Sequence, residues 1–364
     1  MGWKKKEKDL SPEEAVALAK KELAPFWFGS GPRIVGLKQE KGSVVLPLDP
    51  EFIKKTWLLF FIDLTDFLGD FILSYAKEWH LRYQVHGVEI LMIFLPSYGY
   101  FKDVKHLQER VEGLHLDFIS MVDCEEAIVQ AFQAEAPPKV ILLDKGNRIF
   151  EHGGQEWLDQ AELKLQSFLR QKDPGLPLLP VFQLQQRVQD VGRLEFGFKP
   201  KRGTLTAFAP PGFAGVDAAT GLKAGSFQAP RSGEIKPGEV FLKGNWSQDA
   251  EKLFTADSQA WMAFRGTGSR VSLVMQSLAQ TLAEIPVIVV EVGGDPAHEV
   301  LAGKDLISDD LGRSIVKVTQ ARLHHILVNL PAQGQEITLR FVNAATAPIG
   351  IHGIRLGKED QKVE

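Results

Sequence analysis

The sequence is poor in the residues that redox and metal chemistry need. One cysteine, Cys124, occurs in 364 residues, which rules out an intrachain disulfide, a CxxC pair and a cysteine-rich zinc site. Long apolar runs are missing as well. Trp57–Ile62 stops at Asp63, and Val287–Val290 lies between Glu284 and Glu291; neither is long enough to span a bilayer as a helix. Charge is nearly balanced, with 42 Lys+Arg against 46 Asp+Glu and a formal net charge of −4, so there is no electrostatic footprint for nucleic acid. The one basic cluster, Lys4, Lys5, Lys6 and Lys8, is broken by Glu7. It reads as a solvated tail, because a membrane-surface role would want an adjacent apolar anchor.

Catalytic motifs are equally scarce. No GxSxG, HExxH, P-loop or EF-hand pattern is present, and Phe28-Gly29-Ser30-Gly31-Pro32 fails as GxGxxG because position 34 is Ile34. His324 and His325 are adjacent, so on a strand they point to opposite faces and cannot chelate one ion together. No metal and no cofactor is expected. The N-terminus carries charges and then Ser11-Pro12-Glu13-Glu14, a helix start without an apolar signal core. Lys6 stands where a myristoylation signal wants Ser or Thr. The expected compartment is cytoplasmic, or periplasmic if an export signal had been removed.

Length alone predicts two domains. Short strands are expected at 33–37 and 43–46. From Lys55 the pattern alternates between strand and helix. Thr56–Ile62 is a continuous apolar run, as for a central strand buried on both faces. Phe67, Phe71, Tyr75 and Trp79 recur every four residues and predict a helix to Tyr83. Val88–Phe94 is a second buried strand, 104–112 a helix, 115–119 a strand and 125–132 a helix begun by Asp123. Val140–Leu143 and 148–151 form a hairpin around Asp144-Lys145-Gly146-Asn147, followed by an amphipathic helix over 156–169. The total is an α/β layer fold. Asp173-Pro174-Gly175-Leu176-Pro177 breaks it off. From Glu239 to Leu356, strands separated by Gly, Asp and Pro turns predict a β-sandwich. The expected organisation is 1–54 leading in, 55–172 α/β, 173–235 a Pro/Gly-rich extended linker, 236–358 all-β, and 359–364 a polar tail.

Several phrases carry a family resemblance. Lys77-Glu78-Trp79-His80 through His86-Gly87-Val88-Glu89-Ile90-Leu91, the stretch Pro96-Ser97-Tyr98-Gly99-Tyr100-Phe101, and Pro138-Lys139-Val140-Ile141-Leu142-Leu143-Asp144 occur in the order of a thioredoxin fold of the TlpA/DipZ type. Gly244-Asn245-Trp246, Arg270-Val271-Ser272-Leu273-Val274, Gly293-Gly294-Asp295-Pro296 and Ile354-Arg355-Leu356-Gly357 are similar to the β-domain that follows thioredoxin in DipZ-like proteins, a jelly-roll-like, carbohydrate-binding-module-like domain. The likeness runs from about Lys55 to Gly357, with 180–238 poorly matched. DipZ's membrane-spanning domain has no counterpart in these residues.

The resemblance locates what is missing. Counting back from Trp79, the CxxC positions fall on Asp66, Phe67, Leu68 and Gly69. Asp66 is suited to cap the helix and to use its positive end without redox work. Asp63, Asp66 and Asp70 cluster near that helix start; capping and solvation account for them more simply than a metal or general-base site does. Pro138 falls on the cis-proline position, which together with Pro137 implies either a retained peptide-binding groove or a turn kept for the fold. Cys124 lies at another helix start, where the dipole favours thiolate while Asp123, Glu125 and Glu126 oppose it.

Three functions are open at this point. The first is a redox-inactive scaffold that binds a protein partner through Asp63, Asp66, Asp70, Pro137 and Pro138. The second is carbohydrate binding by the β-domain, with Trp261 as the stacking candidate and Trp246 as core. The third is a one-cysteine peroxidase or glutathione-linked enzyme using Cys124.

Overall fold

The structure, a computed structural model, describes residues 39–40, 43–44, 54–99, 113–123, 127–134, 137–145, 147–153, 157–183, 188–196, 223–227, 235–279, 281, 284–331 and 333–359. The helix expected from Ser11, the strand at 33–37, the helix at 104–112 and Cys124 lie outside these. The chain divides into two compact units, Met1–Leu64 with Gly69–Leu184, and Thr65–Leu68 with Gln185–Glu364.

In the first unit, β1 (Gln39–Glu40) and β2 (Ser43–Val44) pair as a short hairpin. Then come β3 (Thr56–Ile62), α1 (Phe67–Tyr83), β4 (Val88–Phe94), β5 (Ile119–Val122), α2 (Ala127–Phe132), β6 (Lys139–Asp144), β7 (Asn147–Gly153) and α3 (Trp157–Lys172). The sheet order is β5-β4-β3-β6-β7. β3 pairs in parallel with β4, and β4 with β5, while β6 and β7 run antiparallel. Every residue of β3 is buried, because both faces are covered. Trp57, Leu59 and Phe61 pack with Leu91, Ile93, Ile128 and Val129, and on the other face Phe60 meets Trp79 at 5.6 Å between ring centres. Two-sided burial is why the strand reads as an unbroken apolar run. The third parallel strand begins at Ile119, later than expected, after His115 at φ 47°.

The described residues of the second unit form a single antiparallel sheet. Its strands are β8 (Val188–Glu195), β9 (Lys223–Phe227), β10 (Val240–Gln248), β11 (Leu253–Thr255), β12 (Trp261–Gly266), β13 (Arg270–Ser277), β14 (Val287–Val292), β15 (Asp295–Pro296), β16 (Ile307–Ser308), β17 (Ser314–Lys317), β18 (Arg322–Leu327), β19 (Gln335–Phe341) and β20 (Ile349–Glu359). The order is β16-β17-β14-β19-β12-β10-β11-β20-β13-β18, with β15, β8 and β9 added on β14, β20 and β10. The expected two-layer sandwich therefore takes the form of one curled sheet, and β10 is where it turns. Its first half, Val240–Lys243, pairs with β12; its second half, from Gly244, pairs with β9 and then β11. Strands that change sheet make such corners. One core spans the two halves, with Leu242, Trp246, Phe264, Leu273, Ile288, Leu339 and Ile354 in a single cluster.

The expected linker over 173–235 differs from what is found. Val188–Glu195 and Lys223–Phe227 are strands of the second unit's sheet, and residues through 183 belong to the first unit. In Val188-Gln189-Asp190-Val191-Gly192-Arg193-Leu194-Glu195 the alternation is broken by Gly192, and a register shift falls opposite it, between Leu356 and Gly357. Period-two reading fails on such an irregular strand.

Gly244 holds the corner of β10 at φ 90°, where a Cβ would come within 2.8 Å of the Ala260 Cα. Gly244→Ala combines a disfavoured backbone with overpacking. It is expected to cost the second unit about 1–3 kcal/mol, read as an earlier urea midpoint of that unit's transition with the first unit's unchanged.

Candidate functional site

The start of α1, where the resemblance puts the CxxC positions, is held by Asp66 and Gly69. Asp66 caps α1, its carboxylate accepting the Leu68 N–H at 3.2 Å. By its contacts Thr65–Leu68 groups with the second unit, where Asp66 pairs with Arg193. The Thr65 carbonyl accepts from Arg355 Nε at 3.2 Å. Arg355 is itself buried and paired with buried Glu195 at 2.7 Å, which answers its charge where water cannot. Asp66 is only 4% exposed.

Gly69, which the resemblance puts at the second CxxC position, is tightly enclosed. A Cβ there would lie 2.8 Å from the Asp63 carbonyl oxygen, closer than a side chain tolerates. Glycine lets the helix start sit against the end of β3, so this backbone has no room for a side chain without shifting.

The remaining candidates are largely enclosed. Asp63 is buried and accepts the Ser97 hydroxyl. Pro138 is buried, Pro137 half-buried, and the bond between them is cis. Phe67 and Asp70 lie in α1, and their side chains fall outside the described ones. Among the described members, then, Asp63, Asp66 and Pro138 are not exposed in the way an open partner-binding surface requires; Leu68 and Pro137 are partly accessible.

A second constellation was not anticipated from the sequence. Glu162 of α3 is fully buried. Its carboxylate accepts Trp79 Nε1 at 2.9 Å and the Tyr83 hydroxyl at 2.6 Å, both from α1. It also accepts the backbone N–H of Phe182 at 2.8 Å. Arg82 Nη1 stands 3.7 Å away. Gln166, one turn on from Glu162, donates to the Tyr83 oxygen at 2.9 Å and to the Leu179 carbonyl at 2.9 Å. Burial and the Glu162 hydrogen bond push the Tyr83 phenol well above its usual pKa, so it remains a donor. The signal in the sequence was a Glu and a Gln at i, i+4 on the helix face that carries Ala161, Leu165 and Leu169.

In the second unit a cleft of about 550 Å³ is lined by Ser226, Asn245, Ser247, Phe254, Thr255 and Asp257, among others. Alternation along β10 turns Asn245 and Ser247 outward and Trp246 inward. Asp257 accepts the backbone N–H groups of Asn245 at 2.9 Å and Gln259 at 2.8 Å, and Asn245 Nδ2 at 3.2 Å. Those bonds hold its carboxyl below the usual range. Trp246 is core, 2% exposed and edge-on to Phe341. Trp261 is half-buried on β12, opposite Lys243 and Arg340, and is not part of the cleft lining. His324 is buried and His325 half-buried, on opposite faces of β18. No group of three or more His, Cys, Asp or Glu that could hold a metal ion occurs among the described residues, and no described helix is long and apolar enough to cross a membrane.

Three parallel strands flanked by helices, then an antiparallel hairpin and a closing helix, define the first unit as thioredoxin-like. No protein-family model matches the sequence, and no curated protein matches it. Solved structures similar to the chain include a thioredoxin-like protein from Porphyromonas gingivalis, at 18% identity and TM-score 0.30, covering 40% of this chain and 92% of that one. StoA from Bacillus subtilis matches at 14% and 0.28, covering 38% and 99%. A secreted Mycobacterium tuberculosis disulfide oxidoreductase homologous to E. coli DsbE matches at 14% and 0.27, covering 34% and 87%. At these scores nothing about chemistry, partner or compartment carries over from them.

The buried carboxylate makes a prediction. Glu162→Ala strands the Trp79, Tyr83 and Phe182 donors and is expected to cost the first unit about 3–5 kcal/mol. Glu162→Gln keeps an acceptor oxygen and should cost less. Chemical denaturation followed by tryptophan fluorescence measures both.

Proposed function

We propose that this chain is a redox-inactive thioredoxin-like protein that works by binding, with its former dithiol position converted into a structural anchor. The observation that carries this reading is the helix start itself, where Asp66 is a capping, ion-paired carboxylate and Gly69 has no room for a Cβ. A thioredoxin dithiol needs a thiolate at the helix end and a second thiol to resolve the mixed disulfide. Here the helix end is satisfied by a carboxylate instead. The partner is a protein segment. Because Asp63, Asp66 and Pro138 are buried, its seat is better sought away from the former active-site surface.

The test is thiol–disulfide exchange. The chain is expected to show no disulfide reductase activity above a no-protein control. The double variant Asp66→Cys, Gly69→Cys is expected to stay at least 100-fold below a dithiol thioredoxin assayed alongside. Activity in the unmodified chain, or restoration to that enzyme's level by the two cysteines, would sink the reading.

The cleft beside β10 supports a second reading, carbohydrate binding by the β-rich unit. Its small, outward Ser226 and Ser247, the Asn245 amide, the Asp257 carboxylate and the partly exposed Phe254 are what a hydroxyl-bearing ring with an apolar face would use. A glycan array probed with the full chain is expected to give hits that Asn245→Ala weakens at least tenfold. Hits unaffected by that change would move the contact to Trp261, and an empty array would remove the reading.

A further inference from the structure

The segment that follows α3 lies against the first unit in a way that resembles a bound peptide. Leu176–Gln183 runs without helix or strand. The Leu179 carbonyl accepts from Gln166 Nε2 at 2.9 Å, the Pro180 carbonyl accepts from Arg82 Nη1 at 2.6 Å, and the Phe182 N–H donates to Glu162 at 2.8 Å. The Phe182 ring stands edge-on to Tyr75, with centres 5.0 Å apart, and under the Arg82 guanidinium at 5.2 Å. Two carbonyls, one N–H and one aromatic ring are thus read by side chains of α1 and α3. Pro180 falls where the groove contacts the carbonyl and makes no demand on the backbone nitrogen.

Two features separate the groove from its occupant. The groove keeps its shape through bonds that do not involve the segment: Trp79 and Tyr83 both donate to Glu162, and Gln166 donates to Tyr83. It is preorganised, so an incoming ligand does not have to order it. The segment, by contrast, is only partly buried. Leu176, Leu178, Val181 and Phe182 are half-buried while Leu179 is 59% exposed and Pro180 is exposed, so apolar burial holds it mainly through those four side chains, Phe182 on Tyr75 among them. If it lifts away, Glu162 retains its Trp79 and Tyr83 donors and water replaces the backbone N–H.

We propose that the groove formed by Tyr75, Trp79, Arg82, Tyr83, Glu162 and Gln166 is a recognition site for an extended protein segment with a proline followed two residues later by an aromatic. Leu179–Phe182 occupies it in cis and is displaced when a partner presents that chemistry. This names the seat of the protein partner and so rests on the binding reading above. Backbone recognition plus one aromatic anchor is a recurring mode of peptide capture.

The probe is a fluorescein-labelled peptide with the sequence of residues 176–183, titrated against the full chain by fluorescence anisotropy. Phe182→Ala in the chain removes the cis anchor while leaving the groove intact. This variant is expected to bind the peptide at least tenfold more tightly than the unmodified chain. The gain should vanish when the peptide carries Phe182→Ala or the chain also carries Arg82→Ala. A folded Phe182→Ala chain that binds no better than the unmodified one, or that binds the alanine peptide equally well, overturns the proposal. If Phe182→Ala does not fold, hydrogen exchange in the unmodified chain decides. A Phe182 amide that exchanges at least 100-fold faster than the core amides of α1 supports a releasable segment, and exchange only with global unfolding overturns it. Failure of the peptide to bind leaves the redox-inactive reading standing, since that falls only to the exchange assay.

Discussion

A buried carboxylate has to be answered by donors, and in the first unit the answer to Glu162 organises much that surrounds it. An ion of that size left alone in the interior would cost several kcal/mol. Trp79 and Tyr83 supply donors from α1, and the Phe182 amide supplies another from the segment beyond α3. The two long helices on that face are thereby held in one register, and the chain leaving α3 is drawn back across them before it departs. The unit consequently extends through residue 183, past the Pro/Gly break that reads as its natural end. Burial, together with the hydrogen bond to the same carboxylate, keeps Tyr83 a donor.

The α1 N-terminus shows the complementary case, in which a helix end is satisfied by a carboxylate of its own chain. A helix end offers free N–H groups and positive potential to whatever anion is present. At α1 that anion is the Asp66 carboxylate, which caps Leu68 and meets Arg193. Gly69 then lets the helix approach the end of β3 closely. In the second unit Gly244 has the same spatial logic, allowing β10 to turn between its two sets of partners where any side chain would strike Ala260.

What could be read in advance was whatever a short window of sequence controls. β3, α1, β4, the β6–β7 hairpin and the strands after Glu239 appear close to where periodicity put them, and Asp66 serves as the expected cap. Trp246 is core and His324 and His325 divide between faces, as alternation along a strand implies. β8 and β9 were missed because their alternation is interrupted and their stability comes from pairing with β20 and β10, whose partners lie far along the chain. Of the candidate surface, Asp63, Asp66 and Pro138 turned out to be enclosed. Composition marks a carboxylate as surface material, and only packing reveals that Ser97 and Arg193 have claimed these two.

The sequence alone determined that no dithiol chemistry is available, because one cysteine cannot resolve a mixed disulfide within the chain. It also determined the succession of an alternating strand–helix region followed by strands only, since both follow from local period. Tertiary structure alone decided that Glu162 and Gln166 are interior, that the segment through Phe182 is seated on the first unit, and that β10 serves two sets of strands. Each of these depends on residues brought together from distant parts of the chain, such as Trp79 with Glu162 or Gly244 with Ala260. The free energy of such contacts comes from burial and hydrogen bonding in three dimensions, which no repeat along the sequence encodes.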